Sequence, residues 1–237
     1  MLTTQSVIKI TCFAILSEVV YQFSRRIYKK FKRKITPGSL TYSLMEAYKS
    51  DKSLDHLNKV LFFPDPGFTC KRTVFGRDCK DKNCRAVHDE TSLNCLLNVL
   101  KLANHTLDVC VYMITCSVLG DALVECQERD VKIRVITEIR NSGEEGEISG
   151  AQIGKLRNAG ISVYCLSSSF WMHHKFLVAD NEVLVNGSFN WTNQAVMGNY
   201  ENLIITSEET LVQPFIMEFQ KLWDHLATTS DVKEESL

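Results

Sequence analysis

Residues 173–192, HHKFLVADNEVLVNGSFNWT, decide the fold prediction because they combine a hairpin pattern with polar residues at its open end. Two apolar runs flank the polar residues 180–182, as in a β-hairpin with a short turn. With a two-residue loop at 181–182, the pairs across the hairpin are His173 with Asn190 and Lys175 with Ser188. Side chains alternate between the two faces of a strand. These four side chains are therefore predicted to share one face, whereas His174 and Asp180 point to the other.

The side chains on this face supply the chemistry of phosphodiester cleavage. An imidazole attacks phosphorus or moves a proton near neutral pH. An ammonium group neutralises charge on the non-bridging phosphate oxygens, and a hydroxyl and an amide donate hydrogen bonds to them. No carboxylate joins the set as a ligand for two-ion phosphoryl transfer. The residues therefore predict cleavage through a phosphohistidine, with no metal needed for catalysis.

The full pattern resembles the signature of the phospholipase D superfamily. It is His173-x-Lys175-x4-Asp180-x6-Gly187-Ser188-x-Asn190. The resemblance implies a catalytic motif of His173, Lys175 and Asp180, in which Asp180 is mainly structural. It also implies that Glu201 orients the second ring nitrogen of the nucleophile. Superfamily chemistry uses two histidines and this chain carries one motif, so an isologous homodimer is predicted.

Helical and strand-like segments alternate along the rest of the chain. Strand-like runs cover 57–65, 106–115, 131–137 and 161–166. Helical spacing covers 91–103, 117–130, 151–160 and a run from about 209 to 227. Such alternation predicts an α/β domain with a mixed central sheet flanked by helices. The resemblance makes this domain phospholipase D-like.

A cysteine-bearing module interrupts the alternation. Its spacing, which resembles the CCCH zinc-finger class, is Cys70-x8-Cys79-x4-Cys84-x3-His88. Three thiolates and one imidazole form a closed tetrahedral set for one structural zinc per chain. The module carries a net charge of +4, and its basic residues are candidate RNA contacts: Lys71, Arg72, Arg77, Lys80, Lys82 and Arg85. The alternative is a solvated loop in which zinc only staples a small insertion.

The N-terminal arm differs in charge from the rest of the chain. Residues 1–34 carry eight basic residues against one acidic residue, a net +7, so −8 remains for residues 35–237 of a chain with net charge −1. The apolar run 6–23 and the basic cluster after it predict a membrane anchor followed by a cytosolic part. An interfacial helix on anionic phospholipid is the alternative. The acidic remainder excludes a broadly basic nucleic-acid binder, so contacts with polyanions are expected to be local.

The anchor, the CCCH module and the single motif together resemble the mitochondrial phospholipase D family, known in flies as Zucchini. The resemblance implies a single-pass protein of the mitochondrial outer membrane with a cytosolic catalytic domain. It implies an endoribonuclease that cuts single-stranded piRNA precursors in the germline, with piRNA-pathway proteins as partners. Cardiolipin hydrolysis to phosphatidate is the alternative activity, and a non-enzymatic membrane-anchored RNA-binding scaffold is the alternative of another class. The predicted domains are an anchor (1–34), a catalytic domain (40–228), a finger insertion (70–88) and an acidic tail (229–237).

Overall fold

The computed structural model describes residues 35–51, 53–67, 70, 72, 79–88, 90–138, 152–166 and 170–234, together with Ser17 and Val20, which are helical. The chain divides into two compact units, Met1–Ile35 and Thr36–Leu237. The predicted anchor at 1–34 lies outside the described residues, apart from Ser17 and Val20, and the polar loop at 141–150 lies outside them as well. Within the described ranges, no helix is both long and apolar enough to cross a membrane.

One seven-stranded sheet forms the centre of the second unit. Its strands are β1 (Asn58–Phe62), β2 (Thr106–Val111), β3 (Lys132–Glu138), β4 (Ser162–Leu166), β5 (Lys175–Ala179), β6 (Val183–Gly187) and β7 (Asn202–Thr206). Their spatial order is β1-β7-β6-β5-β2-β3-β4. The pairs from β1 to β2 in this order are antiparallel, and the pairs β2–β3 and β3–β4 are parallel. The prediction of a mixed central sheet is confirmed.

Helices cover both faces of this sheet. Those in the described ranges of the second unit are α1 (Leu40–Ala47), α2 (Ser92–Leu102), α3 (Ser117–Gln127), α4 (Ile153–Asn158), α5 (Asn193–Met197) and α6 (Glu209–Glu234). Helix α6 contacts β4, β5 and β6, where Phe176 and Val178 belong to its apolar cluster. Leu177, between them, is also buried. Because neighbouring side chains on a strand point to opposite faces, the sheet is covered on both sides.

Helix α6 is longer than the sequence pattern predicted. The apolar periodicity predicted an end near residue 227, whereas the helix ends at Glu234. No glycine or proline follows Pro214 in the sequence. The polar residues after 227 therefore contain no strong stop signal, and the helix continues through them.

The β5–β6 hairpin has a register different from the predicted one. Two of its pairs are Ala179 with Val183 and Phe176 with Asn186, so the loop has three residues, 180–182, and not two. Asp180 and Asn181 both adopt a φ of 52°. Aspartate and asparagine tolerate this left-handed region better than most residues.

This register changes the predicted neighbours of the motif. Continuing the pairing places Lys175 level with Gly187, so the predicted partner Ser188 is wrong. The pairing of His173 with Asn190 is wrong as well, because His173 precedes β5 and Asn190 follows β6. The directions of His173, Ser188 and Asn190 are therefore set by loop contacts rather than by strand alternation.

Candidate active site

Five strand ends meet at one edge of the sheet, which we call the site edge. The end of β2 lies beside the start of β5, because Val111 pairs with Lys175. The end of β6 lies beside the start of β7, and the end of β1 pairs with that same start. The segments that carry His173, Ser188, Asn190 and Glu201 therefore all begin or end at the site edge.

The two adjacent histidines have different surroundings. The exposed His173 ring lies 5.2 Å from the Tyr112 ring and 5.7 Å from the Trp171 ring, centroid to centroid. The His174 ring instead lies 5.4 Å from the ring of Phe176, which packs under α6. Loss of surrounding water lowers the pKa of His174. Both histidines are exposed, but the His174 ring contacts a core phenylalanine, whereas the His173 ring lies beside the aromatic residues of the site edge.

Lys175 is a buried cation next to His173, with 8% of its surface exposed. Its Nζ donates a hydrogen bond to the His173 carbonyl oxygen at 2.9 Å and lies 5.3 Å from the centroid of the Tyr112 ring. Burial lowers the pKa of Lys175, and the negative charge of Glu201 partly opposes that shift. The site edge thus holds a positively charged group in a fixed position, which suits the stabilisation of a phosphate.

The Glu201 carboxylate has hydrogen-bond partners other than His173. Ser188 Oγ donates to one of its oxygens, and Asn199 Nδ2 donates to the other at 3.1 Å. Ser188 Oγ also accepts the Asn202 N–H at 3.1 Å. Among the side chains that the structure describes, none hydrogen-bonds the His173 ring. Glu201 leads into β7 and His173 leads into β5, so two strand spacings of about 4.8 Å separate their segments.

Asn190 lies at the site edge with a buried amide oxygen that has no donor among the described residues. The backbone beside it is held firmly, because Trp191 N–H donates to Met113 O at 3.0 Å and Trp191 O accepts Thr115 N–H at 2.9 Å. An unpaired buried polar atom costs about 1–3 kcal/mol. The Asn190 amide oxygen is therefore placed at this edge as an acceptor that no described protein donor uses.

Asp180 lies at the far end of β5 from the other motif residues. Its carboxylate accepts three backbone N–H groups, from Asn104 at 2.9 Å, His105 at 2.7 Å and Thr106 at 2.8 Å. Five residues of extended strand place it about 16 Å from Lys175. In this chain Asp180 therefore joins the hairpin turn to the start of β2 and does not share the site edge.

Sequence reasoning missed Glu138 and Tyr112. Glu138 is 2% exposed at the end of β3, and its Oε2 accepts the Met172 N–H at 2.8 Å. Tyr112 follows β2, and its N–H donates to His174 O at 2.9 Å. Both residues therefore hold the segment that presents His173. A usable signal existed, because sites in open α/β sheets form at the carboxyl ends of strands.

The predicted zinc ligands come together in the structure. The ligand atoms of Cys70, Cys79, Cys84 and His88 all lie within 4.8 Å of one another. The sulfurs of Cys70 and Cys84 are 3.9 Å apart, and neither is in a disulfide. Two thiolate sulfurs that each lie 2.3 Å from one tetrahedral zinc ion would be about 3.8 Å from each other. The donor set and its spacing therefore fit a structural zinc ion.

The basic residues of the same module are partly described. Four of the six candidate RNA contacts are exposed: Arg72, Lys80, Lys82 and Arg85. Lys71 and Arg77 lie outside the described residues. The two ends of the module are joined to each other, because the Cys70 N–H donates to Val87 O at 2.9 Å.

Comparisons with known proteins agree with this geometry. Residues 96–223 match the family described as cardiolipin synthase, PLD-like domain. A mitochondrial cardiolipin hydrolase of Chlamydomonas reinhardtii is 39% identical, over 70% of this chain and 73% of that protein. One of Xenopus laevis is 37% identical, over 79% of this chain and 86% of that protein.

The solved structure of a phospholipase D family member, Nuc from Salmonella typhimurium, has the same fold with a TM-score of 0.56. It is 22% identical, and the match covers 71% of this chain and 95% of that chain. The family match extends from α2 to α6 and includes the whole motif, and the two relatives named above are 39% and 37% identical. The chain therefore belongs to the mitochondrial cardiolipin hydrolase family, and it is a phosphodiesterase of the phospholipase D superfamily.

Proposed function

We propose that this protein cleaves single-stranded RNA as an endoribonuclease, with a phosphohistidine intermediate and no catalytic metal. The observation that carries the proposal is the site edge, where an exposed His173 ring stands beside the buried Lys175 ammonium. Imidazole is a nucleophile near neutral pH, and the cation stabilises charge that develops on phosphate. Asn190 supplies an amide at the same edge, and the backbone of the next residue, Trp191, is hydrogen-bonded to Met113 and Thr115.

In the first step a ring nitrogen of His173 attacks phosphorus. The nitrogen–phosphorus bond forms as the bond to the leaving oxygen breaks, and a second imidazole gives that oxygen its proton. In the next step the same imidazole takes a proton from water. The resulting hydroxyl displaces the histidine and releases a 5′-phosphate. Each histidine ends in its starting state, so one acid–base partner for His173 is sufficient.

We propose that this partner is His173 of a second copy in an isologous homodimer. One chain carries one motif, and the His174 ring contacts Phe176 rather than the aromatic rings around His173. Glu201 supports the same proposal, because no described side chain hydrogen-bonds the His173 ring within one chain. If Glu201 orients a histidine, the dimer must bring the two together.

Cardiolipin is the second candidate substrate. The curated relatives are named mitochondrial cardiolipin hydrolases, and cardiolipin is a phosphodiester that the same chemistry cleaves. The names favour lipid, whereas the exposed basic residues of the cysteine module favour a polyanion strand. Both substrates present one phosphodiester to the same two histidines, so the mechanism does not choose between them.

We further propose one structural zinc per chain, held by Cys70, Cys79, Cys84 and His88. When bound, the ion supplies a rigid cross-link in the module. The exposed Arg72, Lys80, Lys82 and Arg85 then guide RNA by phosphate contacts. Zinc content measured by mass spectrometry should be one ion per chain and should fall to zero in Cys84→Ala. Retention of a full equivalent of zinc in Cys84→Ala would refute this ligand set.

We propose the remaining organisation from sequence and family. Residues 1–34 anchor the protein in the mitochondrial outer membrane, and the catalytic domain at 40–228 faces the cytosol. The finger insertion occupies 70–88, and an acidic tail occupies 229–237. Proteins of the piRNA pathway are the expected partners. Carbonate extraction of mitochondria should leave the full chain in the membrane and release a chain that lacks 1–34.

A side-by-side assay tests the function. Purified protein in EDTA is given single-stranded RNA or cardiolipin vesicles, and His173→Ala is the matched control. RNA cleavage with a 5′-phosphate, abolished in His173→Ala, is the expected result. Release of phosphatidate without RNA cleavage would make the protein a lipase. Equal RNA cleavage by His173→Ala and wild type would refute the mechanism.

A further inference from the structure

The rings of Tyr112 and Trp171 lie beside the His173 ring, and we call this pair the aromatic wall. The Tyr112 and Trp171 rings lie 6.0 Å apart at an interplanar angle of 21°, and each is within 6 Å of the His173 ring. Lys175 Nζ lies 5.3 Å from the centroid of the Tyr112 ring. A phosphate held by His173 and Lys175 would therefore have this wall as its neighbour.

The wall presents a large apolar surface to solvent. Trp171 is 58% exposed, although it is followed by Met172, which is 7% exposed and packs in the core. Met172 N–H is bonded to the buried Glu138, and Met172 Sδ lies 3.6 Å from Cys110 Sγ. These contacts of Met172 fix the backbone next to Trp171, and the indole ring extends from it into solvent. An exposed aromatic residue beside a nucleophile is typical of a ligand contact.

We propose that Trp171, backed by Tyr112, is a stacking subsite for a nucleobase next to the scissile phosphate. This inference rests on the proposed function and specifies how the substrate is held. A single strand has unpaired bases, and stacking on an aromatic ring tolerates any base sequence. Near His173 the wall is bordered by the Lys175 ammonium, whose Nζ lies 5.3 Å from the Tyr112 ring, so a base stacked on the wall would have its phosphate beside a cation.

The direct test compares RNA oligonucleotides with and without a single abasic residue beside the cleaved bond. In wild type, loss of the base should raise KM about 5- to 150-fold, the equivalent of one stacked base. Trp171→Ala should show the raised KM with intact RNA and no further rise with the abasic strand. Trp171→Phe should recover most of the affinity, because phenylalanine also stacks. Leu211→Ala is the control, since Leu211 is 51% exposed in α6, which begins beyond the opposite edge of the sheet.

A binding signal gives a second readout that does not depend on turnover. The chain has three tryptophans, and Trp191 is only 3% exposed. In the His173→Ala background, RNA should quench tryptophan fluorescence, and adding Trp171→Phe should remove most of that quenching.

Each alternative has its own outcome. If wild type cuts RNA but neither the abasic residue nor Trp171→Ala changes KM, the subsite is refuted and the proposed function stands. If Trp171→Ala weakens only cardiolipin cleavage, the wall is a lipid contact. If it turns a dimer into a monomer in sedimentation, the wall is a protein interface, and either result overturns the inference. If wild type cuts no RNA, the proposed function fails first and the subsite fails with it.

Discussion

The position of Asp180 yields the sharpest prediction, because a signature residue is placed far from the other signature residues. Asp180→Ala removes the acceptor of three backbone N–H groups, those of Asn104, His105 and Thr106. It also puts alanine at a φ of 52°, which costs about 1–2 kcal/mol. Asn104 and His105 are exposed, so water replaces part of the loss, whereas Thr106 is half-buried. We expect a total destabilisation of about 3–5 kcal/mol.

Asp180→Asn is the matched variant. One Asp180 oxygen accepts both His105 and Thr106, and an asparagine oxygen can replace it. The other oxygen accepts Asn104 alone, and this bond is lost to an amide NH₂. Asparagine also tolerates the left-handed backbone, so we expect a loss of about 1 kcal/mol. For a domain of this size each 1 kcal/mol lowers Tm by about 2–4 °C, which separates the two variants clearly.

The assay combines thermal unfolding by circular dichroism with turnover of bis(p-nitrophenyl) phosphate well below Tm. Asp180→Ala should lower Tm by about 6–20 °C while kcat stays within about twofold, because Lys175 is about 16 Å away. His173→Ala is the control for a purely catalytic effect, and it should reduce kcat to the background rate while leaving Tm unchanged. A loss of kcat in Asp180→Asn of more than tenfold at unchanged Tm would refute the reasoning.

Three further predictions concern groups around His173. Glu138→Ala leaves the Met172 N–H without its acceptor, so kcat should fall more than KM changes. Glu138→Gln, whose side-chain oxygen can still accept this hydrogen bond, should restore most of kcat. Equal kcat in the two variants would contradict the role of Glu138 in positioning the His173 segment. The kcat/KM profile should fall at high pH below the ordinary lysine value of about 10.4, as the lowered pKa of Lys175 is passed. Glu201→Gln should move this limb to lower pH because it removes a charge that raises that pKa, and an unmoved limb would exclude the coupling. Since the pKa of His174 is lowered on folding, the unfolding free energy should fall as pH drops below about 6.5. In urea titrations at pH 7 and pH 5, His174→Gln should lose less stability than wild type; an equal loss would count against the assignment.

The β5–β6 hairpin shows what a local sequence pattern can and cannot predict. Apolar runs around polar residues correctly predicted two strands, but the loop length was wrong by one residue. The extra loop residue results from positive φ at both Asp180 and Asn181. That conformation is stabilised by the contact of Asp180 with residues 104–106, more than seventy positions away in the chain. The spacing of residues within the hairpin contains no information about a contact with residues 104–106.

The sequence by itself determined the chemical type of this protein and its secondary structure. Residue identities at motif spacing indicated a phosphodiesterase, and apolar periodicity indicated a mixed α/β domain, because both are local properties of the chain. Only the tertiary structure decided which side chains meet. It separated Asp180 from the site edge, joined Glu201 to Ser188, and brought Glu138 under the segment of His173. These contacts depend on strand order, and strand order follows from packing the whole sheet between its helices rather than from any single stretch.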